Sequence, residues 1–352
     1  VTQGLGERLT DGARAGLYSA ASLAIWTAAD RRLRRWHYGA AHWFDLASLT
    51  KPLSTAALLL QDIARGRAST QTPLGRVLDV PASLGVLTLG ELLQHRSGLI
   101  PWRAWEAGLT PGPTAAAAIR RRIWAEVPDE PRGTLRYGDT AYLLLGAALD
   151  ALDPRPSWSR FLSDLAEPLG LANGFAWTPL AAAQREEAAA TGFCPWRGRA
   201  IIGEVHDPRA AAWGAGAGHA GLFGTAAAVA RLGAAWLEGL AGPGLPGLPA
   251  SALRWASRKD NGRPPAWDCP GPGPSQAGDR VGMRAFGHLG FTGTSLWIDP
   301  DRGAAVALCT NRVAGRGDPE AFRAWRPALH DAIWRAVDGE GTAVLDDAAV
   351  DA

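Results

Sequence analysis

The stretch that decides the fold is Phe44–Leu60, FDLASLTKPLSTAALLL. A short apolar segment leads into Ser48, Lys51 follows three residues later, and a long apolar run leaves directly. With a helix starting at Ser48, this spacing puts hydroxyl and ammonium on one face of the first turn, within reach of each other. A hydroxyl beside an amine is an arrangement that activates serine for attack on a carbonyl. The same residues also fit a plain serine cap with a solvated lysine. Pro52 lacks the N–H for the first regular backbone bond, so the turn is expected to be locally irregular.

Upstream, residues 3–16 have the periodicity of an amphipathic helix through Leu5, Leu9 and Ala13. Residues 20–28 and the run LRRWHYGA flank an Asp30-Arg31 turn and read as a hairpin. Downstream, Pro52–Ile63 reads as a helix buried on most sides. LGELLQHRSGL suggests a short helix ending at Gly98, in which His95 is a base, a ligand, or a buried ring bonded to backbone. The loop 101–113 carries Trp102 and Trp105, which either line a cleft or pack against the body. Helices are expected over Thr114–Trp124, Ala141–Leu152 with Asp139 or Thr140 as cap, and Trp158–Pro168.

Residues 171–217 read as loop-rich. His206, Asp207 and His219 invite a metal, but adjacent His206 and Asp207 cannot easily aim at one ion, and no metal or cofactor is expected. Thr225 is a reasonable cap for the next helix, and the Pro- and Gly-rich residues 240–280 read as a long surface loop. GHLGFTGTSLWIDP and AAVALCTNR form a second hairpin around the turn Asp299–Gly303. Glu320–Val337 is an amphipathic helix that Pro327 is expected to kink or divide, and the acidic, Ala-rich end reads as a fraying tail.

At 352 residues and 47% hydrophobic, the chain can bury a substantial core. Charged residues are 20% with a net charge of +2 and no basic stripe, which argues against nucleic acid as a partner. Cys194, Cys269 and Cys309 are too few and too scattered for a disulfide framework and are expected to be free thiols. No apolar run reaches membrane-spanning length. No signal peptide is visible, so a cytoplasmic location is expected, or a periplasmic one if the N-terminus is processed.

Strands at both ends and helices between them give an α+β fold, with one antiparallel sheet flanked by terminal helices and a mostly helical lobe inserted. Residues 1–50 and 280–352 would form the α/β lobe, and 51–279 the helical lobe with its loop-rich insertions. The cleft between lobes would gather Ser48, Lys51, Tyr137, Asp139 and His288–Gly290 from three distant places.

Those residues resemble the serine β-lactamase-related family of class C β-lactamases, penicillin-binding DD-peptidases and serine esterases. SLTK at Ser48–Lys51 matches S-x-x-K, YGD at Tyr137–Asp139 stands at the Y-x-N place, and HLG at His288–Gly290 stands at the K-T-G place. QHRSGL, PLGL and GHAGLF resemble supporting segments of the esterase-like branch. The resemblance implies a β-lactamase/DD-peptidase-like fold and a covalent acyl-enzyme on Ser48, formed from a small ester or amide. It implies Lys51 or Tyr137 as base, and Ser48 and Phe291 N–H groups as the oxyanion hole, with Gly290 letting backbone approach the substrate.

The departures shape the expected substrate. Asp139 stands for Asn and can accept from Lys51 but cannot donate an amide hydrogen bond. It would keep Lys51 charged, which favours Tyr137 in base catalysis. His288 replaces a fixed cation with a titratable donor, and Leu289 removes a hydroxyl. A pocket with less fixed charge suits an esterase better than a β-lactamase. The alternatives are a DD-peptidase or peptidoglycan amide hydrolase with weak β-lactamase activity, an acyltransferase, and a non-catalytic penicillin-binding-like scaffold.

Overall fold

Near the start, β1 (Ala21–Thr27) and β2 (Arg32–Tyr38) pair antiparallel across a turn in which Arg31 takes a left-handed φ of 56°. Near the other end, β3 (Phe286–Leu289), β4 (Ser295–Asp299) and β5 (Ala304–Thr310) form an antiparallel meander. The two ends join along β1 and β5, from Ala21 opposite Thr310 to Thr27 opposite Ala304. A short β6 (Ala349–Asp351) lies along the outer side of β2, giving the order β3-β4-β5-β1-β2-β6 with every pairing antiparallel. This computed structural model describes residues 4–259, 262–271, 273–340 and 349–351.

The helices that position the site are α1 (Leu5–Arg14), α2 (Ala57–Ala64), α3 (Thr140–Leu152), α4 (Ala226–Ala241) and α5 (Pro319–Val337). The central strands are covered on both faces, which is why β5 reads AAVALCT without polar alternation and is buried throughout. On one face Leu9 of α1 and Leu329, Ile333 and Trp334 of α5 pack with Leu23, Ile25, Val306 and Leu308. Each such wholly buried aliphatic side chain contributes about 1.5–3 kcal/mol. On the other face α4 lies close: a Cβ on Gly233 would come within 2.9 Å of Leu296 and 3.0 Å of Ala305. Thr225 caps α4, its hydroxyl accepting from Ala228 N–H at 3.2 Å.

Several expectations are corrected. No regular helix starts at Ser48: a 3₁₀ turn spans Ala47–Leu49, a π-helical segment Lys51–Ala56 follows, and only then does α2 begin. The missing Pro52 N–H accounts for the irregular pitch. The helix after Thr88 stops at Leu93, well before Gly98. Residues 171–217 hold strands Phe175–Trp177, Ala190–Cys194 and Arg199–Ile202 as well as turns. Within 240–280, helix Ala250–Ser257 and a wholly buried Trp267 packed against Trp236 and Phe286 make the segment part of the body.

Pro327 does not divide α5, and residues 349–351 of the tail form β6; residues 341–348 and 352 lie outside the described residues. The three cysteines are free thiols. Among the described residues no helix is long and apolar enough to cross a membrane.

Candidate active site

The segment entering Ser48 is tied down from two sides. Thr292 and Thr294, in the turn between β3 and β4, donate their hydroxyls to the carbonyls of Asp45 (2.6 Å) and Leu46 (3.1 Å). Gly290 is required at this approach, because a Cβ there would lie 2.6 Å from the Leu46 carbonyl oxygen. Buried Asp45 accepts from the N–H of Ala47 at 2.8 Å and from that of His206 at 2.7 Å. These bonds hold Ala47 at a left-handed φ of 48°, a conformation costing a non-glycine residue about 1–3 kcal/mol. The turn thereby aims Ser48 into a cleft of about 830 Å³.

Lys51 closes the turn from below. Its Nζ donates to Ser48 Oγ at 2.8 Å and to Asp139 Oδ1 at 2.8 Å, with the His219 carbonyl at 3.4 Å. It is wholly buried and is one of only two lysines in a chain otherwise supplied with arginine. A compact ammonium fits between three oxygens where a planar guanidinium would not. Asp139 spends its carboxylate here, so it does not cap α3; Thr140 donates instead to the Ile100 carbonyl at 2.5 Å.

Tyr137 stands over this group, its ring centroid 5.1 Å from Lys51 Nζ. Its ring packs against those of His95 (4.6 Å) and His288 (5.6 Å). His95 is a buried ring bonded to backbone: Nδ1 accepts from Gly138 N–H at 3.3 Å, which also fixes the loop carrying Tyr137. His288 Nδ1 lies 2.8 Å from the Leu289 carbonyl, so the neutral ring carries its proton on Nδ1 and leaves Nε2 as an acceptor. Leu289, Gly290 and Phe291 line the cleft, and Phe291 lies beyond the last β3–β4 pair, with its ring stacked on His206 at 5.5 Å.

Burial alone would lower the Lys51 pKa, but Asp139 and Tyr137 outweigh it and raise it above its ordinary value. Burial pushes Asp139 up, yet Lys51 and then His219 bring it below the usual carboxylate range. His288 and His95 are held well below the usual histidine value by burial, then by Arg263 and Lys51, so both are neutral at neutral pH.

Asp139, Asp207 and His219 bring one potential ligand atom each within 4.8 Å of one another. Their bonds are already made within the protein. Asp207 accepts from His219 Nε2 at 3.1 Å and pairs with Arg209, while Asp139 holds Lys51. His206 turns elsewhere, its Nδ1 2.8 Å from the Thr191 carbonyl.

The expectation of a cleft poor in fixed charge is overturned. Arg209, Arg263, Arg312 and Arg326 all line it, and Arg263 Cζ lies 5.0 Å from the Tyr137 ring. The loop tryptophans divide: Trp102 is exposed on the cleft wall 5.4 Å from Arg209 Cζ, while Trp105 is buried with its Nε1–H on Glu126 at 2.8 Å. The sequence reading missed Asp45, Thr292, Thr294 and these arginines. The two threonines carry a local signal, two hydroxyls in the turn that follows Gly290; the arginines carry none.

Residues 6–330 match the family model described as Beta-lactamase. The chain is 27% identical over 312 residues to an N-acetylmuramyl-L-alanine amidase of Bacillus subtilis (strain 168), covering 76% of this chain and 68% of that protein. Among solved structures it resembles a class C beta lactamase from Rhodobacter sphaeroides, with TM-score 0.69, 16% identity, and 94% and 98% of the two chains covered. It also resembles a family VIII carboxylesterase, with TM-score 0.65, 16% identity, and 93% and 96% covered.

Proposed function

The chain belongs to the beta-lactamase family, and from that premise we propose that it hydrolyses a small ester through an acyl-enzyme on Ser48. Membership carries a serine-hydrolase type of mechanism in general. The observation that carries the specific reading is the Lys51 ammonium joined to both Ser48 Oγ and Asp139 at 2.8 Å within the cleft.

Ser48 Oγ attacks the carbonyl carbon while its proton passes to Tyr137 in the phenolate form. Lys51 is kept as a donor by Asp139, so the base role goes to Tyr137, with the cations Lys51 and Arg263 near its ring. The N–H groups of Ser48 and Phe291 receive the oxyanion. Collapse expels the alcohol, which takes the proton from Tyr137; water then attacks the acyl-enzyme, gives its proton to Tyr137, and Ser48 leaves protonated. Asp139 and Leu289 offer fewer donors to a peptide-like substrate, and Trp102, Leu289 and Phe291 supply apolar walls, which favours an ester.

A second reading, hydrolysis of an amide in an acidic peptide-like substrate, is favoured by the arginines of the cleft and by the name of the Bacillus relative. Turnover of a short-chain aryl ester tests the first reading: Ser48→Ala is expected to lower kcat by on the order of 10⁴-fold or more with the circular-dichroism spectrum unchanged. Unchanged turnover removes Ser48 from the role.

A further inference from the structure

A second cavity, of about 430 Å³, shares no lining residue with the cleft that holds Ser48. Gly112 and Pro113 bring to it the start of helix Pro113–Trp124, which has neither a side-chain cap nor an acid in its first turn. A helix of twelve residues carries first-turn N–H groups and a partial positive charge at that end. Such an end is suited to an anion.

Arg197, on the wall of the same cavity, is the independent second feature. Its side chain is only 6% exposed, and Nη2 donates to the carbonyls of Val205 and His206 at 2.8 Å each. Nε and Nη1 are buried and have no hydrogen-bond partner among the described residues. The Glu204 carboxylate stops 3.8 Å from Nη1, beyond hydrogen-bond distance, while Arg199 holds it at 2.7 Å. A buried guanidinium with two idle nitrogens is costly, and a bound anion removes that cost.

We propose that this cavity binds a phosphoryl anion, free phosphate or a phosphomonoester, between the helix start and Arg197. A phosphate has oxygens enough to meet both sets of donors, where a carboxylate has only two. Arg197, Arg199 and the helix end outweigh Glu204, the one acid on the wall. Trp196, fixed by its Nε1–H on the Leu109 carbonyl at 2.8 Å, gives an apolar side against which an organic group can lie.

The cavity is joined to the cleft through Arg197. The carbonyls that it holds belong to Val205 and His206, which line the cleft, and His206 N–H donates to Asp45 at 2.7 Å. Helix Pro208–Trp213 likewise has Pro208 and Arg209 on the cleft, and Ala211 and Ala212 on the cavity. An anion on Arg197 therefore acts on the segment that braces the Ser48 turn. Binding itself does not require Ser48 to react.

The test is calorimetric titration of the full chain carrying Ser48→Ala with inorganic phosphate, phenyl phosphate and acetate, at fixed ionic strength. Phosphate is expected to bind at least about tenfold more tightly than acetate, and Arg197→Gln to weaken it at least about tenfold. Because Arg197 also braces residues 205 and 206, Ala212→Asp is the second variant. It puts a carboxylate on the wall, removes no hydrogen bond, and should weaken phosphate as much. Phenyl phosphate binding more tightly than phosphate keeps the site and assigns it to a phosphomonoester; equal or weaker binding keeps it for the free ion. Acetate binding as tightly as phosphate, no phosphate binding, or binding unchanged in both variants overturns the site. In the wild type, saturating phosphate should change kcat or KM for an aryl ester by at least about twofold, and not in Ala212→Asp. No change overturns the link to the cleft.

Discussion

At the floor of the cleft Lys51 donates to Ser48 and Asp139 at 2.8 Å each, whereas at the rim Arg326 and Arg312 donate to a side-chain amide and a backbone carbonyl. Floor charges are compensated by the fold, so the hydroxyl and its neighbours are fixed before any substrate arrives. The rim arginines have neutral acceptors and no ion-pair partner among the described residues. On the proposed reading the difference separates the work of the two regions: the floor bears on how fast a substrate turns over, and the rim on which substrate is preferred.

Lys51→Met strikes the floor hardest. Turnover of acidic and neutral esters is expected to fall together by on the order of 10³-fold. Removing one partner of this buried pair should also lower stability by about 3 kcal/mol, read from urea unfolding. A variant that changed the acid-to-neutral ratio as much as the rate would erase the division between floor and rim.

A smaller effect is expected in the pH dependence of stability. Asp139 is depressed below its ordinary 3.8, so its contribution is present above that value and lost as pH falls through the folded pKa. Lys51 is raised above 10.5, so its contribution is present below that value and lost as pH rises through the folded pKa. The Tm difference between the wild type and Asp139→Asn should therefore be flat through neutral pH and shrink at both extremes. A gap that varies steeply between pH 5 and 9 contradicts the pairing (bounds on the order of those for ordinary Asp and Lys titration).

The smallest effect is expected from His288→Lys combined with Leu289→Thr. With the rim arginines supplying charge, the acid-to-neutral preference in kcat/KM should change by less than about threefold, well under 1.4 kcal/mol. A gain beyond about tenfold would move anion recognition from the rim to β3.

The floor was legible because its chemistry is local. Three residues separate Ser48 from Lys51, and Tyr137 and Asp139 share one loop, so spacing and residue type brought the candidates forward. The paired end strands were equally readable, since AAVALCT and ASLAIWT leave little choice but burial on both faces. Asp139 stands at the N-cap position of α3 and accepts from Lys51 as expected, but makes no capping bond, because its carboxylate is drawn to that lysine 88 positions away. The rim was hidden for a different reason. Nothing in the letters distinguishes Arg326, which has no carboxylate partner among the described residues, from Arg160, which has one; that depends on what folding places opposite each. Strand β6 was hidden too, because edge pairing is made by backbone groups and its alanine and aspartate carry no strand pattern.

The most direct test is to quench the reaction with a slowly hydrolysed aryl ester and with a penicillin, and to locate any added mass by peptide mapping. An acyl group from the ester on the peptide containing Ser48, absent in Ser48→Ala, is the predicted result. An adduct on another residue, or rapid turnover through no covalent species, would contradict it.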